Sequence, residues 1–459
     1  ALLNACLDRV TEVTDELKRL MKEFEKELAI LKGRVDGLEA RVGELEATQF
    51  STTTKLKGQA TFVIGANSFG GDAKEVGGKK RADAAAAMSG ATSFNYDLRL
   101  FLDTSFTGKD LLRTMLRSGN FGNSAFGAGG YVGLDGMETA FEEGAPNNVV
   151  VNRLWYQFPI GDSFTATVGG RVRQDDMLAV WPSAYPADTV LDFFTYAGAP
   201  ATYNLGLGSG AGLWWESDDW SISANYLSTN GQLSNPGNNG NPLVGDCDGA
   251  GGIATDCAGS NGTVQIAYAP ENWGLAAAYN YTSKNAGTLY AGNGTPLANT
   301  FTSNGNNSSV GLSAWWSPEE AGWFPSVSAG WGYNSITNGD NTQVFRSATT
   351  QSWYVGLQWA DAFLKGNTLG MAVGQPTFVS DVEYRNDVSK SDFVADGNYA
   401  WEFWYAFQVT DNITVTPAIY YLSRPYGDLT DGGNRAFGGK RGDDSFNNFG
   451  GLVKTTFKF

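Results

Sequence analysis

The amino-acid sequence of 459 residues predicts an all-β transmembrane barrel of about sixteen antiparallel strands, preceded by an N-terminal α-helical coiled coil. Three observations support this fold class. Segments of about ten residues alternate large apolar side chains with small or polar ones, as tilted membrane-spanning strands do. The connections between these segments alternate between short and long. Residues 1–49 differ from the rest and carry an apolar heptad pattern.

The N-terminal residues 1–49 are rich in Leu, Val, Glu, Lys and Arg and contain no Trp, Tyr or Pro. Apolar residues recur from Leu3 to Leu45 at alternating steps of three and four, with one extra step of four at Leu28. This spacing predicts about six heptads of coiled coil, which requires partner helices, so an oligomer is expected. The alternative is a single amphipathic helix on a globular surface, which a length of roughly 70 Å disfavours.

Residues 50–54 are interpreted as a linker, and residues 55–459 as the barrel, in which the apolar pattern has period two. Between Phe94 and Asp103 the even-numbered positions are Phe, Tyr and Leu, whereas the odd-numbered positions include Asn, Asp and Arg. One face of such a strand suits lipid and the other suits water. The pattern predicts strands at residues 55–65, 91–105, 110–119, 149–160, 162–173, 206–217, 219–228, 262–269, 272–282, 308–317, 321–333, 350–360, 367–376, 398–410, 412–422 and 446–459.

The connections between these strands give the strongest signal. Seven of them are short, and eight are long and rich in Gly, Asn, Ser and Asp. Short periplasmic turns and long outer loops are typical of barrels in the bacterial outer membrane. A soluble β-sandwich gives no reason for such strict alternation. An even strand count places both ends of the barrel on one side, so the coiled coil and Phe459 are expected in the periplasm.

Composition excludes several functional classes. The net charge of −16 lacks the basic footprint of a nucleic-acid-binding protein. The absence of His removes the usual general base and the commonest metal ligand, so neither an enzyme nor a metal or cofactor site is predicted. No apolar run reaches the length of a transmembrane helix. The acidic charge itself has two interpretations, solvation of the loops or a mouth that attracts cations.

Cysteine usage points to an oxidising compartment. Cys247 and Cys257 lie ten residues apart in a polar, Gly-rich stretch, and a disulfide between them is predicted to pin an outer loop. Closing a loop of this size stabilises by about 2–3 kcal/mol in the chain-entropy model. Cys6 stands alone in the heptad region and is interpreted as a small core residue.

Three stretches resemble a known family. They are the heptad region together with FSTTTKLKGQATFVIGA from Phe50, SFTGKDLLRTMLRSGNF at residues 105–121, and the closing TFKF at residues 456–459. These stretches resemble the major outer-membrane porins of cyanobacteria, a family related to carbohydrate-selective porins and often labelled iron-uptake porins. Phe459 is similar to the terminal aromatic residue that the barrel-assembly machinery reads in outer-membrane proteins.

The resemblance implies a homotrimer of sixteen-stranded barrels in outer-membrane lipid and lipopolysaccharide, passing inorganic ions and small solutes. Members of the family usually carry an S-layer-homology domain before the coiled coil, which grips cell-wall polysaccharide. That domain is missing from these residues, so this partner is implied only for a longer precursor. A wall-tethering protein, in which the barrel is mainly a membrane anchor, is the competing interpretation.

Alternation also assigns the residues that line the pore. The predicted lumen cations are Lys57, Arg99, Arg113, Arg117, Arg153, Arg171, Arg173 and Lys454. Residues 174–205 have the position of the inward-folded constriction loop of general porins, and their acidic residues are Asp175, Asp176, Asp188 and Asp192. We hypothesise that a basic half-wall faces this acidic loop and creates a transverse field. The alternative is that the arginines merely pair with nearby aspartates. Preference for anions or cations stays open.

Overall fold

The computed structural model describes residues 14, 17–20, 22–24, 27, 31–35, 53–75, 78–127, 129–237, 247–287, 289–338, 345–385, 392–430 and 444–459. The chain divides into two compact units, Ala1–Lys55 and Leu56–Phe459. Among the described residues, no helix combines the length and the apolar composition needed to cross a lipid bilayer.

The first unit is helical wherever it is described between residues 14 and 35. Apolar residues of the heptad pattern are exposed here, among them Leu17, Phe24 and Leu31. An exposed apolar stripe of this kind is what a helix needs for pairing with another helix. The coiled coil itself stays a prediction, and Cys6 lies outside the described residues.

The second unit is one closed sheet of seventeen strands. They are β1 Thr54–Gly70, β2 Ser93–Thr104, β3 Leu111–Gly119, β4 Val150–Ile160, β5 Phe164–Arg173, β6 Leu207–Ser217, β7 Trp220–Ser228, β8 Ser260–Tyr268, β9 Trp273–Thr282, β10 Asn306–Trp316, β11 Ser326–Thr337, β12 Phe345–Ala360, β13 Thr368–Tyr384, β14 Asp392–Phe393, β15 Tyr399–Thr410, β16 Ile413–Ser423 and β17 Asn447–Lys458. Each described register is antiparallel. The sheet closes because β1 pairs with both β17 and β2, so each of the sixteen longer strands in the described part of the chain has a neighbour on both sides.

The predicted barrel of sixteen antiparallel strands is confirmed, and β14 is an additional two-residue strand beside β13. Several boundaries were wrong. β1 continues to Gly70 rather than residue 65, β13 continues to Tyr384 rather than 376, and β11 begins at Ser326 rather than 321. The pairing of β12 with β13 has three register shifts. Because each shift disturbs the alternation of side chains, the period-two pattern is interrupted at Phe345–Ser347 of β12 and at Pro376–Thr377 and Ser380–Asp381 of β13.

The two faces of the barrel differ as the alternation predicted. On β2 the Phe94 side chain is 65% exposed outside, whereas Asn95 and Asp97 are buried on the lumen side. Other outward apolar side chains include Leu154, Ile222, Val264, Leu312, Trp331, Phe403 and Ile419. Such an apolar exterior fits the hydrocarbon core of a bilayer.

The interior of the barrel is packed with loops. Apolar residues from two long connections, residues 120–149 (loop 2) and residues 174–205 (loop 3), form a buried cluster with lumen-facing residues of the wall. Loop 2 contributes Phe121, Phe126, Val132, Leu134 and Met137, and loop 3 contributes Tyr185, Val190, Leu191, Phe193 and Phe194. The open path through the barrel is therefore much narrower than the strand count alone implies.

Arg81, at the start of the helix Arg81–Ser89, fastens three outer connections together. Its guanidinium donates to the carbonyl oxygen of Thr430 (3.1 Å) and to the hydroxyl of Tyr131 (3.3 Å). The same group lies 4.3 Å from the ring centroid of Tyr426, a cation–π contact. These contacts hold the connections after β1, β3 and β16 over the outer end of the barrel.

Candidate functional site

Loop 3 crosses the lumen to the opposite wall and is anchored there at its tip. The Tyr185 hydroxyl donates to the Glu402 carboxylate (2.7 Å) and accepts from the Trp404 indole N–H (2.8 Å). The Leu191 N–H donates to the other oxygen of Glu402 (2.8 Å). Gly356 makes room for this tip, since a Cβ there would lie 2.6 Å from the Tyr185 ring. Glu402 on β15 is therefore the anchor of loop 3.

The return half of loop 3 lies on the uncharged polar wall formed by the middle strands. The hydroxyls of Ser313 and Ser352 donate to the carbonyls of Ala197 (3.3 Å) and Gly198 (2.8 Å). The Tyr203 hydroxyl donates to Gln265 (2.8 Å). Few of the lumen-facing side chains on these strands are charged. The Ser, Thr, Asn and Gln side chains of these strands form hydrogen bonds with loop 3. Buried polar groups of a loop require such partners.

Loop 2 is a second inward loop, which the sequence analysis missed. Its residue Met137 forms a backbone bridge with Leu191 of loop 3, and the Asp192 N–H donates to the Gly136 carbonyl (2.9 Å). The loop brings Glu138 and Glu143 into the lumen. The sequence did contain one signal for this inward loop. The connection carries several large apolar residues, which a solvated loop would not need.

The lumen cations are paired with carboxylates at direct contact. The pairs are Lys57–Asp103 (3.3 Å), Arg99–Asp97 (3.0 Å), Arg113–Asp103 (2.9 Å), Arg117–Asp97 (2.5 Å), Arg153–Asp176 (2.8 Å), Arg171–Glu143 (2.6 Å), Arg173–Asp175 (2.5 Å) and Lys454–Asp188 (3.6 Å). Base and acid thus meet in contact rather than facing each other across an open gap. The dipoles of these ion pairs still line one wall of the lumen, which is formed by β17 and β1 to β5.

The paired loop acids differ in their pKa. Burial by itself would raise the pKa of Asp188, but the charges of Lys454 and Arg99 hold it below its ordinary value. Asp175 is likewise held low, against the effect of burial, by its contact with the Arg173 guanidinium. Asp188 and Asp175 are therefore charged at neutral pH, which keeps fixed negative charge on loop 3.

Asp192 does not join this set of ion pairs, contrary to its expected place facing a basic wall. It is 1% exposed, accepts a hydrogen bond from Asn293 (3.0 Å), and contacts no cation among the described residues. Its carboxyl group lies within hydrogen-bonding reach of Glu138. The tight turn at Asp192–Thr195 and the backbone bridge between loops 2 and 3 create this arrangement.

A cavity of about 280 Å³ lies between loop 2, loop 3 and the wall. Its lining carries both signs of charge, with guanidinium groups from Arg117 and Arg173 and carboxylates from loops 2 and 3. Aromatic side chains complete the lining, namely Phe121, Phe141, Tyr196 and Tyr290. Arg117 of β3, Arg173 of β5 and Asp192 of loop 3, all predicted pore residues, therefore meet at one charged cavity.

Asp396 is a second buried acid that the sequence analysis missed. It accepts hydrogen bonds from the Thr295 hydroxyl (2.5 Å) and from the backbone N–H groups of Val379 and Asp428 (both 2.9 Å). These bonds join a strand to two outer connections. Burial, the dominant influence, raises the pKa of Asp396 to about 7.

This raised pKa predicts a pH dependence of stability. The unfolded pKa of Asp is about 3.9, so the stability that protonated Asp396 contributes is complete below about pH 4 and is lost as the pH rises to about 7. Across this window, Asp396→Asn should gain stability relative to wild type by up to about 1.4 kcal/mol for each pH unit. Thermal unfolding of both proteins in detergent, followed by circular dichroism, measures this difference. A difference that is constant with pH would contradict the prediction.

The remaining predicted residues lie at the two ends of the barrel. Cys247 and Cys257 form a disulfide, with Cα atoms 5.2 Å apart, in the outer connection between β7 and β8. Phe459 exchanges backbone hydrogen bonds with Gly58 of β1, and its ring is 62% exposed. Within the part of the chain that the structure describes, no group of three or more His, Cys, Asp or Glu residues is placed to hold a metal ion.

A closed antiparallel barrel with an apolar exterior, a charged lumen and loops folded inward defines an outer-membrane porin. The model of the carbohydrate-selective porins, the OprB family, matches residues 12–459, so the chain belongs to this family. Fold and family point to a passive outer-membrane channel rather than an enzyme.

Two cyanobacterial relatives are similar along most of the chain. The uncharacterised protein alr4550 of Nostoc is 31% identical over 473 residues, covering 92% of this chain and 73% of that protein. The uncharacterised protein sll0772 of Synechocystis is 30% identical, covering 92% of this chain and 77% of that protein. The solved structure of OprB from Pseudomonas putida has a TM-score of 0.50 at 12% identity, covering 89% and 94% of the two chains. These matches support a cyanobacterial porin of the OprB family.

Proposed function

We propose that this porin passes inorganic ions and small solutes by passive diffusion through a homotrimer of water-filled barrels. The observation that carries the proposal is the charged cavity between loops 2 and 3. Fixed Arg–carboxylate pairs replace part of the hydration shell of a passing ion, and no moving part is required. The energy for transport then comes only from the concentration gradient or the membrane potential.

The same proposal includes the homotrimer and a coiled coil of residues 1–49 in the periplasm. The exposed apolar residues of the helical segment, including Leu17, Phe24 and Leu31, support pairing with the same segment of other protomers. Residues 1–49 would then form a periplasmic coiled coil of three helices. Lipid and lipopolysaccharide would contact the apolar exterior of the barrel directly.

Reconstitution into planar bilayers tests the proposal. We expect single-channel steps that occur in groups of three, with a reversal potential that shifts in a salt gradient. Conductance that rises with salt and shows no saturation would indicate diffusion through water. Stable insertion without conductance would contradict the channel and would favour the alternative, a wall tether that uses the barrel as its anchor.

A monosaccharide is the second candidate solute. The matching family is described as carbohydrate-selective, and the cavity combines aromatic faces, Tyr196 and Tyr290 among them, with charged groups that hydrogen-bond to hydroxyls. Swelling of proteoliposomes in isosmotic glucose measures this permeability. Faster swelling than in a neutral solute of similar size without ring hydroxyls would support sugar selectivity, whereas equal rates would favour the non-selective channel.

A further inference from the structure

Two turns at one end of the barrel expose large apolar side chains beyond the strands. This end carries the short connections, which face the periplasm in outer-membrane barrels. The turn at residues 317–325, between β10 and β11, contains Trp323, which is 89% exposed, and the exposed Phe324. The turn at residues 361–367, between β12 and β13, contains Phe363, which is 86% exposed. Neighbouring apolar side chains of this size on a surface mark a site of interaction.

The two turns enclose a mostly apolar cleft of about 690 Å³. A hydrogen bond from the Trp359 indole N–H to the Trp323 carbonyl (3.0 Å) joins β12 to the first of these turns. The lining of the cleft includes Trp323 and Phe363 in the turns, and Trp359 and Leu369 near the ends of β12 and β13. Sites for small molecules have volumes of about 300–1,000 Å³, so this cleft is large enough to hold a ligand.

The backbone at Phe363 is held in an unfavourable conformation. Its φ of 64° lies in the left-handed region, which a bulky side chain rarely adopts. Two hydrogen bonds within the turn maintain this conformation. The Asn367 N–H donates to the Leu364 carbonyl (3.1 Å), and the Gly366 N–H donates to the Asp361 carboxylate (2.7 Å). Strain of this kind is concentrated at sites that clamp ligands, so it points to a role for the exposed ring.

The cleft is continuous with the apolar exterior of the barrel. Its lining residue Leu369 lies on the outward face of β13, two residues before the exposed Met371. Trp359 lies on the outward face of β12, one residue before the strand ends. Strand ends of a membrane barrel meet the boundary between hydrocarbon and head groups, where Trp is enriched. The cleft therefore adjoins lipid rather than the lumen.

Lys365 supplies a positive charge in one of the two turns. It follows Phe363 by two residues and is exposed. A lysine close to the membrane surface attracts the phosphate of a lipid head group. In the other turn, the Glu319 carboxylate accepts a hydrogen bond from the Asn272 side chain (3.3 Å), which belongs to the turn between β8 and β9. The apolar cleft and the ammonium group thus match the two parts of a phospholipid, its acyl chain and its phosphate.

We propose that the cleft between the two turns binds one phospholipid of the periplasmic leaflet, with an acyl chain against Trp323 and Phe363 and the phosphate at Lys365. The bound lipid covers apolar side chains that would otherwise contact water. Aromatic girdles border the apolar band of a barrel, whereas these rings lie in turns beyond the strands. The inference goes beyond the proposed channel, because binding of the lipid does not require conduction.

Native mass spectrometry of the full chain in detergent, titrated with dioleoylphosphatidylglycerol, tests this binding. We expect wild type to bind the first lipid at least about tenfold more tightly than further lipids. Replacing both rings, Trp323→Ala with Phe363→Ala, should weaken the first lipid by about tenfold or more, and Lys365→Gln should weaken it about fivefold. The matched control Phe106→Ala removes a ring that is 66% exposed in the turn between β2 and β3, and it should bind the lipid as wild type does.

Phe363→Gly keeps the proposal falsifiable if the alanine variants fold poorly. Glycine adopts a positive φ without strain, so this variant should unfold in lipid-free detergent at a temperature equal to or above that of wild type. Adding the lipid should raise the unfolding temperature of wild type and of Phe106→Ala, but not that of Phe363→Gly. A lower unfolding temperature of Phe363→Gly in lipid-free detergent, together with unchanged lipid binding, would overturn the site, because the ring would then only pack the turn.

The remaining outcomes separate the lipid from other occupants of the cleft. Equal binding in wild type and in every variant would overturn the site, since lipid would then coat the barrel without preference. A smaller oligomer in Trp323→Ala with Phe363→Ala, with lipid binding unchanged, would assign the cleft to a contact between copies and would also overturn the proposal. Wild type that binds the lipid but does not conduct in bilayers would refute the channel and leave this site intact.

Discussion

Replacing Glu402 with Ala is expected to release the tip of loop 3 and raise the single-channel conductance. The substitution removes the acceptor of both the Tyr185 hydroxyl and the Leu191 N–H, which are buried. Each donor left without a partner costs about 1–3 kcal/mol, so the inward position of the loop loses several kcal/mol. Since loop 3 fills the lumen, its release widens the path for ions.

The measurement is single-channel recording in a planar bilayer, with thermal unfolding in detergent as a second readout. Glu402→Gln is the matched control, because glutamine keeps the volume and one acceptor oxygen, so its conductance should lie between wild type and Glu402→Ala. Unfolding of Glu402→Ala should occur at a lower temperature than wild type. Wild-type conductance from a correctly folded Glu402→Ala barrel would show that this contact does not hold the loop.

Removing Arg113 and Arg153 together is expected to shift the channel strongly toward cations. Each arginine neutralises a carboxylate, Asp103 or Asp176, so Arg113→Gln with Arg153→Gln removes two positive charges from the lumen. Asp176 then lacks its partner, whereas Asp103 keeps only Lys57. The Arg153 side chain is buried, and breaking a buried pair on one side costs about 3–5 kcal/mol. The double variant should therefore be both more cation-selective and less stable.

Reversal potentials in a salt gradient measure this selectivity. The control removes both charges of one pair, Arg153→Gln with Asp176→Asn, which keeps the net charge of the wall and should return the reversal potential toward wild type. If the reversal potential is unchanged in the arginine double variant, the ions do not pass close to this wall. In that case the ion pairs serve only the packing of the lumen.

Several features followed from local sequence alone. The alternation along Phe94–Asp103 fixed which side chains of β2 face lipid, and the turn lengths fixed the up-and-down order of the strands. Alternation also predicted that Arg99, Arg113 and Arg117 share the polar face of the wall, where they form ion pairs with Asp97 and Asp103. These properties depend on neighbours a few residues apart, so a single strand carries enough information to predict them.

The path of the loops did not follow from the sequence. Glu138 lies in a connection that looked like an ordinary outer loop, and Glu402 was one charge on an otherwise apolar strand. Both acquire their roles through contacts with loop 3, and the Tyr185–Glu402 hydrogen bond joins residues 217 positions apart. No periodic pattern encodes such a contact, because it depends on how two irregular segments pack.

The sequence by itself determined that this chain crosses the outer membrane as a barrel, since repeating side-chain alternation is dictated by the need to satisfy lipid on one face and water on the other. Only the tertiary structure decided that two loops fill the lumen, that its cations are held in ion pairs, and that Asp192 and Glu138 meet at one cavity. These outcomes arise from long-range packing within a confined space, where burial makes an unpaired charge costly.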